Sequence, residues 1–264
     1  MTNDYYYSIN IRKTTPFCAE NYILKTSEIK LFLEREFGDS MKEFSLSEQS
    51  EVLNKLKIKF KERLTSNQYT SDKIINDLLT NLERFLKDAA LTCSLYISTI
   101  NQIDEMPIQD RIPTKFIGKI PVNEYTIGIP QIFAHSFLDG MVKVSNTLRI
   151  MTEERKTPYI EAETRAKINN IYYEFDNAFP NIWDVRNSWQ HIEDRMRGKG
   201  KFEKELNAKM LVLSTLNGHN LTYTISDGHI HSIEISKKSL IKAQYFVQQT
   251  WDCFEWIKGK EIIQ

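Results

Sequence analysis

Four of the seven prolines fall between residues 105 and 130, at Pro107, Pro113, Pro121 and Pro130. Each proline removes a backbone donor and crowds the preceding turn, so this stretch is not expected to run as a helix. With only nine glycines among 264 residues, the rest of the chain is poor in breakers and free to form long helices. The expected fold is mainly α, split by residues 105–130, which read as an ordered loop or a linker. That gives an N-terminal helical region at 1–104 and a second helical unit at 131–264, either as separate units or as one continuous domain.

Residues 1–25, with Tyr5 to Tyr7 and Pro16, read as an irregular lead-in that could hold one short strand. A first helix opens at Thr26-Ser27-Glu28 and closes at Gly38. A second opens at Ser45 or Ser47, with Glu48 and Glu51 in its first turn and Val52, Leu53, Leu56, Ile58, Phe60 and Leu64 at roughly helical spacing. A third starts near Ser71-Asp72 and runs to about residue 103. After the proline-rich stretch, helices are expected from Gln131 to about Glu154, from about Pro158 to Phe179, and from Asn181 to about Met196.

The apolar pattern then changes to period two. Met210–Leu216, Leu221–Ser226 and His229–Ser236 read as strands, with Asn217-Gly218 and Asp227-Gly228 as the turns between them. A small three-stranded antiparallel β-meander is thus expected at 209–236, before a C-terminal helix that starts near Ser239.

The charges balance to a formal net charge of zero, which argues against a polybasic nucleic-acid binder that relies on many phosphate contacts. Cys18, Cys93 and Cys253 form no close pair and read as buried small apolar residues. The chain shows no basic–apolar leader and no apolar run long enough to span a membrane. A cytoplasmic protein without membrane contact is the expectation. Walker A, GxGxxG, HExxH and GxSxG patterns are absent, which removes the common nucleotide-hydrolase, dinucleotide, metalloprotease and serine-hydrolase readings.

The informative segment is Arg186-Asn187-Ser188-Trp189-Gln190-His191-Ile192-Glu193-Asp194-Arg195. On one continuous helix, Ile182, Val185, Trp189, Ile192 and Met196 would form the core stripe. Asn187, His191 and Asp194 would cluster on the opposite face, flanked by Arg186 and Arg195. Histidine suits proton transfer near neutral pH, and arginine holds phosphate through a permanently charged fork. Together they are a minimal metal-free kit for cleaving RNA. The imidazole would activate the ribose 2′-hydroxyl or protonate the leaving oxygen, while the guanidinium would stabilise charge on the transition state.

Arg-Asn-x-x-x-His near the start of a late helix resembles the R-x(4–6)-H motif of the HEPN superfamily. The longer form Arg-Asn-x-x-x-His-x-x-Asp-Arg also resembles uncharacterised bacterial HEPN-like proteins. The resemblance implies a helical bundle that dimerises, with residues 131–264 as the HEPN-like unit. It implies metal-independent endoribonuclease activity in a toxin–antitoxin or phage-defence setting, with Arg186 and His191 as the catalytic pair and Asn187 in support. No cofactor and no metal are expected, and the partners implied are a second copy of the chain, RNA, and a cognate antitoxin or regulatory protein. Other members are non-catalytic nucleotide- or partner-binding modules, which is the alternative here. Arg186 and His191 lie about 140° apart on an ideal helix, so a dimer interface would be needed to juxtapose them.

Arg195, Arg197, Lys199, Lys201 and Lys204 form a basic run after the motif, and the first four are candidates to position an RNA backbone, with Asp194 in support. Glu203 and Glu205 dilute the run, and a solvated loop is the other reading. His229 and His231 share a strand face and with His219 could approach a metal, but there is no obvious carboxylate or cysteine to complete the set. They read as exposed strand histidines beside Thr222 and Thr224. His135 reads as a packing histidine, or as a second acid–base group near His191. Trp251, Phe254 and Trp256 read as core or as a dimer contact, with a ligand-stacking surface as the alternative. Tyr172, Tyr173 and Phe175 read as a seam facing the motif helix.

Overall fold

The computed structural model describes residues 7–12, 26–37, 45–105 and 122–254. Gly38, the three prolines from Pro107 to Pro121, Cys18 and Trp256 lie outside them. The described residues are mostly helical, with one small antiparallel sheet before the C-terminal helix. They divide into two compact units, one of residues 26–78 and one of residues 79–254 with 7–12.

The first unit holds α1 (Thr26–Phe37), α2 (Leu46–Leu64) and the start of α3 (Asn67–Glu105). The second helix opens at Ser45, whose backbone N–H donates to Glu48 Oε2 at 2.8 Å, satisfying a donor at the helix start. Arg63 grips Glu28 with two hydrogen bonds, at 2.7 and 3.2 Å, tying α2 to α1. Of the apolar positions on α2, Val52 is buried, whereas Leu53, Ile58 and Phe60 face solvent.

The second unit is built on the rest of α3 and on α4 (Val122–Thr152), α5 (Ala162–Ala178), α6 (Ile182–Gln190), α7 (Ile192–Met196) and α8 (Lys237–Asp252). Helix α4 starts at Val122, nine residues before the expected Gln131, and carries Pro130 inside it. Proline costs a helix interior roughly 3 kcal/mol. Burial offsets this: Pro130 is itself buried, and Ala134, Phe137, Leu138, Met141, Val144, Leu148 and Met151 follow at helical spacing with no exposed surface. Pro158 sits in the loop before α5 rather than in its first turn.

The strands are shorter than the alternation suggested: β1 (Thr215–Asn217), β2 (Asn220–Thr224) and β3 (Ile230–Glu234), in the order β1-β2-β3 with Leu221 opposite Ile233 and Tyr223 opposite His231. Regular pairing stops before β1: Ser214 has φ +55, and Val212 meets Thr224 irregularly, its carbonyl accepting from the Thr224 N–H and its N–H donating to Thr224 Oγ1, both at 2.8 Å. The β2–β3 connection is also wider than a two-residue turn. Gly228 N–H donates to the Ile225 carbonyl at 3.0 Å and Ile225 N–H to the His229 carbonyl at 2.8 Å, enclosing the three residues Ser226, Asp227 and Gly228.

The buried Tyr96 hydroxyl on α3 donates to the Gly218 carbonyl in the β1–β2 turn. Helix α8 opens at Ser236, whose hydroxyl accepts from Ser239 N–H at 3.2 Å, and buries Leu240, Ala243, Val247 and Trp251. Trp251 and Phe254 are thus core residues. Residues 7–12 dock on α8 through glutamines. Gln244 accepts from Tyr7 Oη at 2.8 Å and donates to the Asn10 carbonyl at 3.0 Å, and Gln248 brackets both backbone groups of Arg12. Phe175 packs on Phe179 and on Phe246 of α8 while Tyr173 is exposed, so these aromatics do not form the seam expected against the motif helix. Among the described residues, no helix is long and apolar enough to cross a membrane.

Candidate functional site

The motif does not lie on one continuous helix. Asn181 enters α6 in the left-handed conformation, at φ +61, with its amide against His231 Nδ1 at 2.9 Å. Ile182 and Val185 go to the core, and Trp183 Nε1 donates to Ser145 Oγ on α4 at 3.0 Å. The helix then stops at Gln190. His191, with φ −113 and ψ +41, is the joint at which the five-residue α7 starts afresh. A break in backbone phase re-aims every side chain after it. Met196 is therefore 67% exposed instead of completing the core stripe, and Arg195 turns inward to 3% exposure.

Arg195 thus leaves the solvent-facing row assigned to it from the sequence. Its Nη1 donates to the Lys199 carbonyl at 2.6 Å and its Nε to Ser188 Oγ at 3.4 Å, which braces the turn after α7. Burial lowers its pKa, while the carboxylates of Asp194 and Asp184 pull the other way.

Arg186 is half-buried, with Nε on Asp139 Oδ1 of α4 at 3.4 Å and Nη1 facing Asn187 Oδ1 at 3.5 Å. His191 is open: its side chain is 61% exposed, and Nδ1 lies 3.9 Å from Asp194 Oδ2, too long for a hydrogen bond. Asp194 Oδ1 is held by Arg197.

A cleft of 370 Å³ opens beside His191. Asp184, Asn187, His191, Asp194 and Arg195 line it. So do Gly200, Lys201 and Phe202, in the loop after α7, and Ser226 in the β2–β3 turn. That loop is pinned at its base by Leu206 N–H donating to the Gly198 carbonyl and by Lys199 N–H donating to the Asp194 carbonyl, both at 2.8 Å. It abuts the sheet closely: a Cβ on Gly200 would come within 2.7 Å of the Ser226 carbonyl oxygen. At its tip Phe202 adopts φ +58 and ψ +39, a conformation that costs a side-chain-bearing residue roughly 1–2 kcal/mol.

The structure therefore gathers Asn187, His191, Asp194, Arg195 and Lys201 around one cleft. Arg186, Arg197 and Lys199 are outside its lining. Asp184, Phe202 and Ser226 were not anticipated. Lys199-Gly200-Lys201-Phe202, an aromatic among cations, carried the signal for Phe202; Ser226 had none, since it arrives from another part of the chain.

His135 is a packing group with a polar end. Its ring stacks on Trp189 at 4.4 Å and 16°, and Nε2 meets the Tyr223 hydroxyl at 2.6 Å. Burial pushes its pKa down to about 4 and that of Tyr223 up to about 12, so at neutral pH an uncharged imidazole meets an uncharged phenol. Because the folded-state pKa lies below the ordinary 6.5, the unfolded chain binds more protons between these values. This contribution to stability is complete above about pH 6.5 and is lost as the pH falls towards 4. Thermal melts across that window should show a steeper loss of Tm for the wild type than for His135→Gln.

The remaining histidines have separate partners. His231 meets Asn181, His229 Nδ1 is 3.2 Å from Asp227, and His219 lies edge-on to Tyr96. His231 is half-buried opposite Tyr223 rather than exposed. Among the described residues, no three or more His, Cys, Asp or Glu side chains are grouped to hold a metal ion. Cys93 is buried, with its thiol pushed up to about 12, and burial also raises the half-buried Cys253, so neither is poised as a nucleophile.

Comparisons with protein-family models, curated proteins and solved structures return no match to this chain.

Proposed function

We propose that this protein is a metal-independent endoribonuclease of the HEPN type, with the cleft beside His191 as its active site. The carrying observation is the solvent-open imidazole of His191 above a cleft shared with Asn187, Asp194 and Lys201. In the step proposed, His191 takes the proton of a ribose 2′-hydroxyl, and the freed oxygen attacks the adjacent phosphorus. The bond to the 5′-oxygen breaks, and that oxygen takes up a proton from water while the His191 imidazolium returns its own to solvent, leaving a 2′,3′-cyclic phosphate and a 5′-hydroxyl. Lys201 offsets charge on the phosphoryl oxygens.

Arg186 lines no part of this cleft in its own chain. Its catalytic role in this reading requires a second protomer, whose Arg186 completes the site of the first. Mixed cellular RNA incubated with wild-type protein in EDTA should be cleaved, and Arg186→Ala and His191→Ala should each be inert. Refolding the two inert variants together should restore about a quarter of wild-type activity, since half the dimers of a random mixture carry one intact composite site of two. No recovery would remove the shared site, and an inert wild type would remove catalysis.

The second reading is a non-catalytic binding module. It is favoured by one observation, the engagement of Arg186 by Asp139 within the same chain. Under it, the same cleft would hold a nucleotide or partner without chemistry.

A further inference from the structure

Phe202 is a large apolar side chain that is 82% exposed. It is also one of three non-glycine described residues with positive φ. A phenylalanine that gives its surface to water in a strained conformation contributes little to folding at that position; a glycine there would remove the strain. Phe202 lines the same cleft as His191 and Asn187, and Lys201 Nζ lies 5.3 Å from its ring centroid. An aromatic face with an adjacent cation, beside a phosphate-handling histidine, is a platform for a base joined to that phosphate.

We infer that Phe202 stacks an unpaired nucleobase, with Lys201 on the neighbouring phosphate, so that the substrate is a single-stranded segment of RNA. The inference rests on the ribonuclease reading above and specifies its substrate. A base in a duplex is already stacked on both sides and offers no free face, whereas a splayed base in a loop or tail does. Stacking is tolerant of sequence because every base has a π-face, so selection by strandedness rather than by sequence is expected.

The test uses fluorescein-labelled 2′-O-methyl RNA, which lacks the attacking hydroxyl and stays intact, as a mixed-sequence single strand and as the same strand in a blunt duplex. Fluorescence anisotropy should show wild-type protein binding the single strand at least about tenfold more tightly than the duplex. Phe202→Ala should weaken single-strand binding about tenfold, Phe202→Trp should retain it, and Phe202→Gly should melt no lower than wild type. If the wild type cleaves RNA but Phe202→Ala binds as tightly as wild type, the stacking assignment falls and the ribonuclease reading stands. If the wild type neither binds nor cleaves any strand, both fall. A Phe202→Gly protein that melts well below wild type would show a structural role and overturn the assignment.

Discussion

His191→Ala is expected to slow RNA cleavage by at least about 100-fold, the lower end of what a positioned general acid–base group contributes. The same substitution should leave the melting temperature nearly unchanged. The side chain is 61% exposed and its nearest charged partner, Asp194, is 3.9 Å away, so truncation removes little packing and no hydrogen bond. The backbone of His191 does the structural work at the joint, its carbonyl accepting from Asp194 and Arg195 N–H at 3.1 and 3.2 Å, and alanine preserves this. Single-turnover cleavage beside a thermal melt checks both halves. A large fall in Tm would assign the loss to folding, and an unaltered rate would remove His191 from the chemistry.

Gly228→Ala is expected to cost about 3 kcal/mol, combining the left-handed backbone penalty with the cost of overpacking. Gly228 has φ +89, and a Cβ there would lie 2.4 Å from the Asn207 carbonyl oxygen, which belongs to backbone and cannot rotate away. For a chain of this size the drop in Tm should be roughly 6–12 °C. Gly218→Ala is the matched control. Its φ is +56 but a Cβ would meet nothing within 4 Å, so only the smaller backbone penalty applies. Equal melting temperatures for the two variants would show that the backbone of Asn207 and Ala208 does not press on Gly228. Because Ser226 of that turn lines the cleft, Gly228→Ala should also impair cleavage beyond its effect on folded fraction.

The periodicity of the sequence located most helices and the meander, since amphipathic stripes such as Leu240, Ala243 and Val247 report directly which face is buried. It failed where tertiary packing overrode local preference. Pro130 was read as a helix breaker, yet the buried stripe from Ala134 to Met151 carries the helix through it. Met210–Leu213 alternates like a strand, but Thr224 takes the Val212 N–H through its side chain and Ser214 bends the chain before the regular ladder begins.

For the candidate site, the sequence identified Asn187, His191 and Asp194 as neighbours and the structure places all three on one cleft. The assignment of Arg195 to the exposed row assumed an unbroken helix. Nothing in the residue types announced the break at His191, after which the Arg195 guanidinium reaches the Lys199 carbonyl. The contribution of Ser226 was not legible either, since it depends on glycines at 200 and 228 admitting close backbone approach between segments some twenty residues apart.

The most direct test of the central claim is to map one cleavage position in an RNA oligonucleotide and replace the ribose on its 5′ side with 2′-deoxyribose, assaying both substrates in EDTA. The account predicts that the all-ribose strand yields a 2′,3′-cyclic phosphate and a 5′-hydroxyl, and that the single deoxy substitution abolishes cleavage at that position. Cleavage that survives the missing 2′-hydroxyl, or that stops on chelating metal, would contradict it.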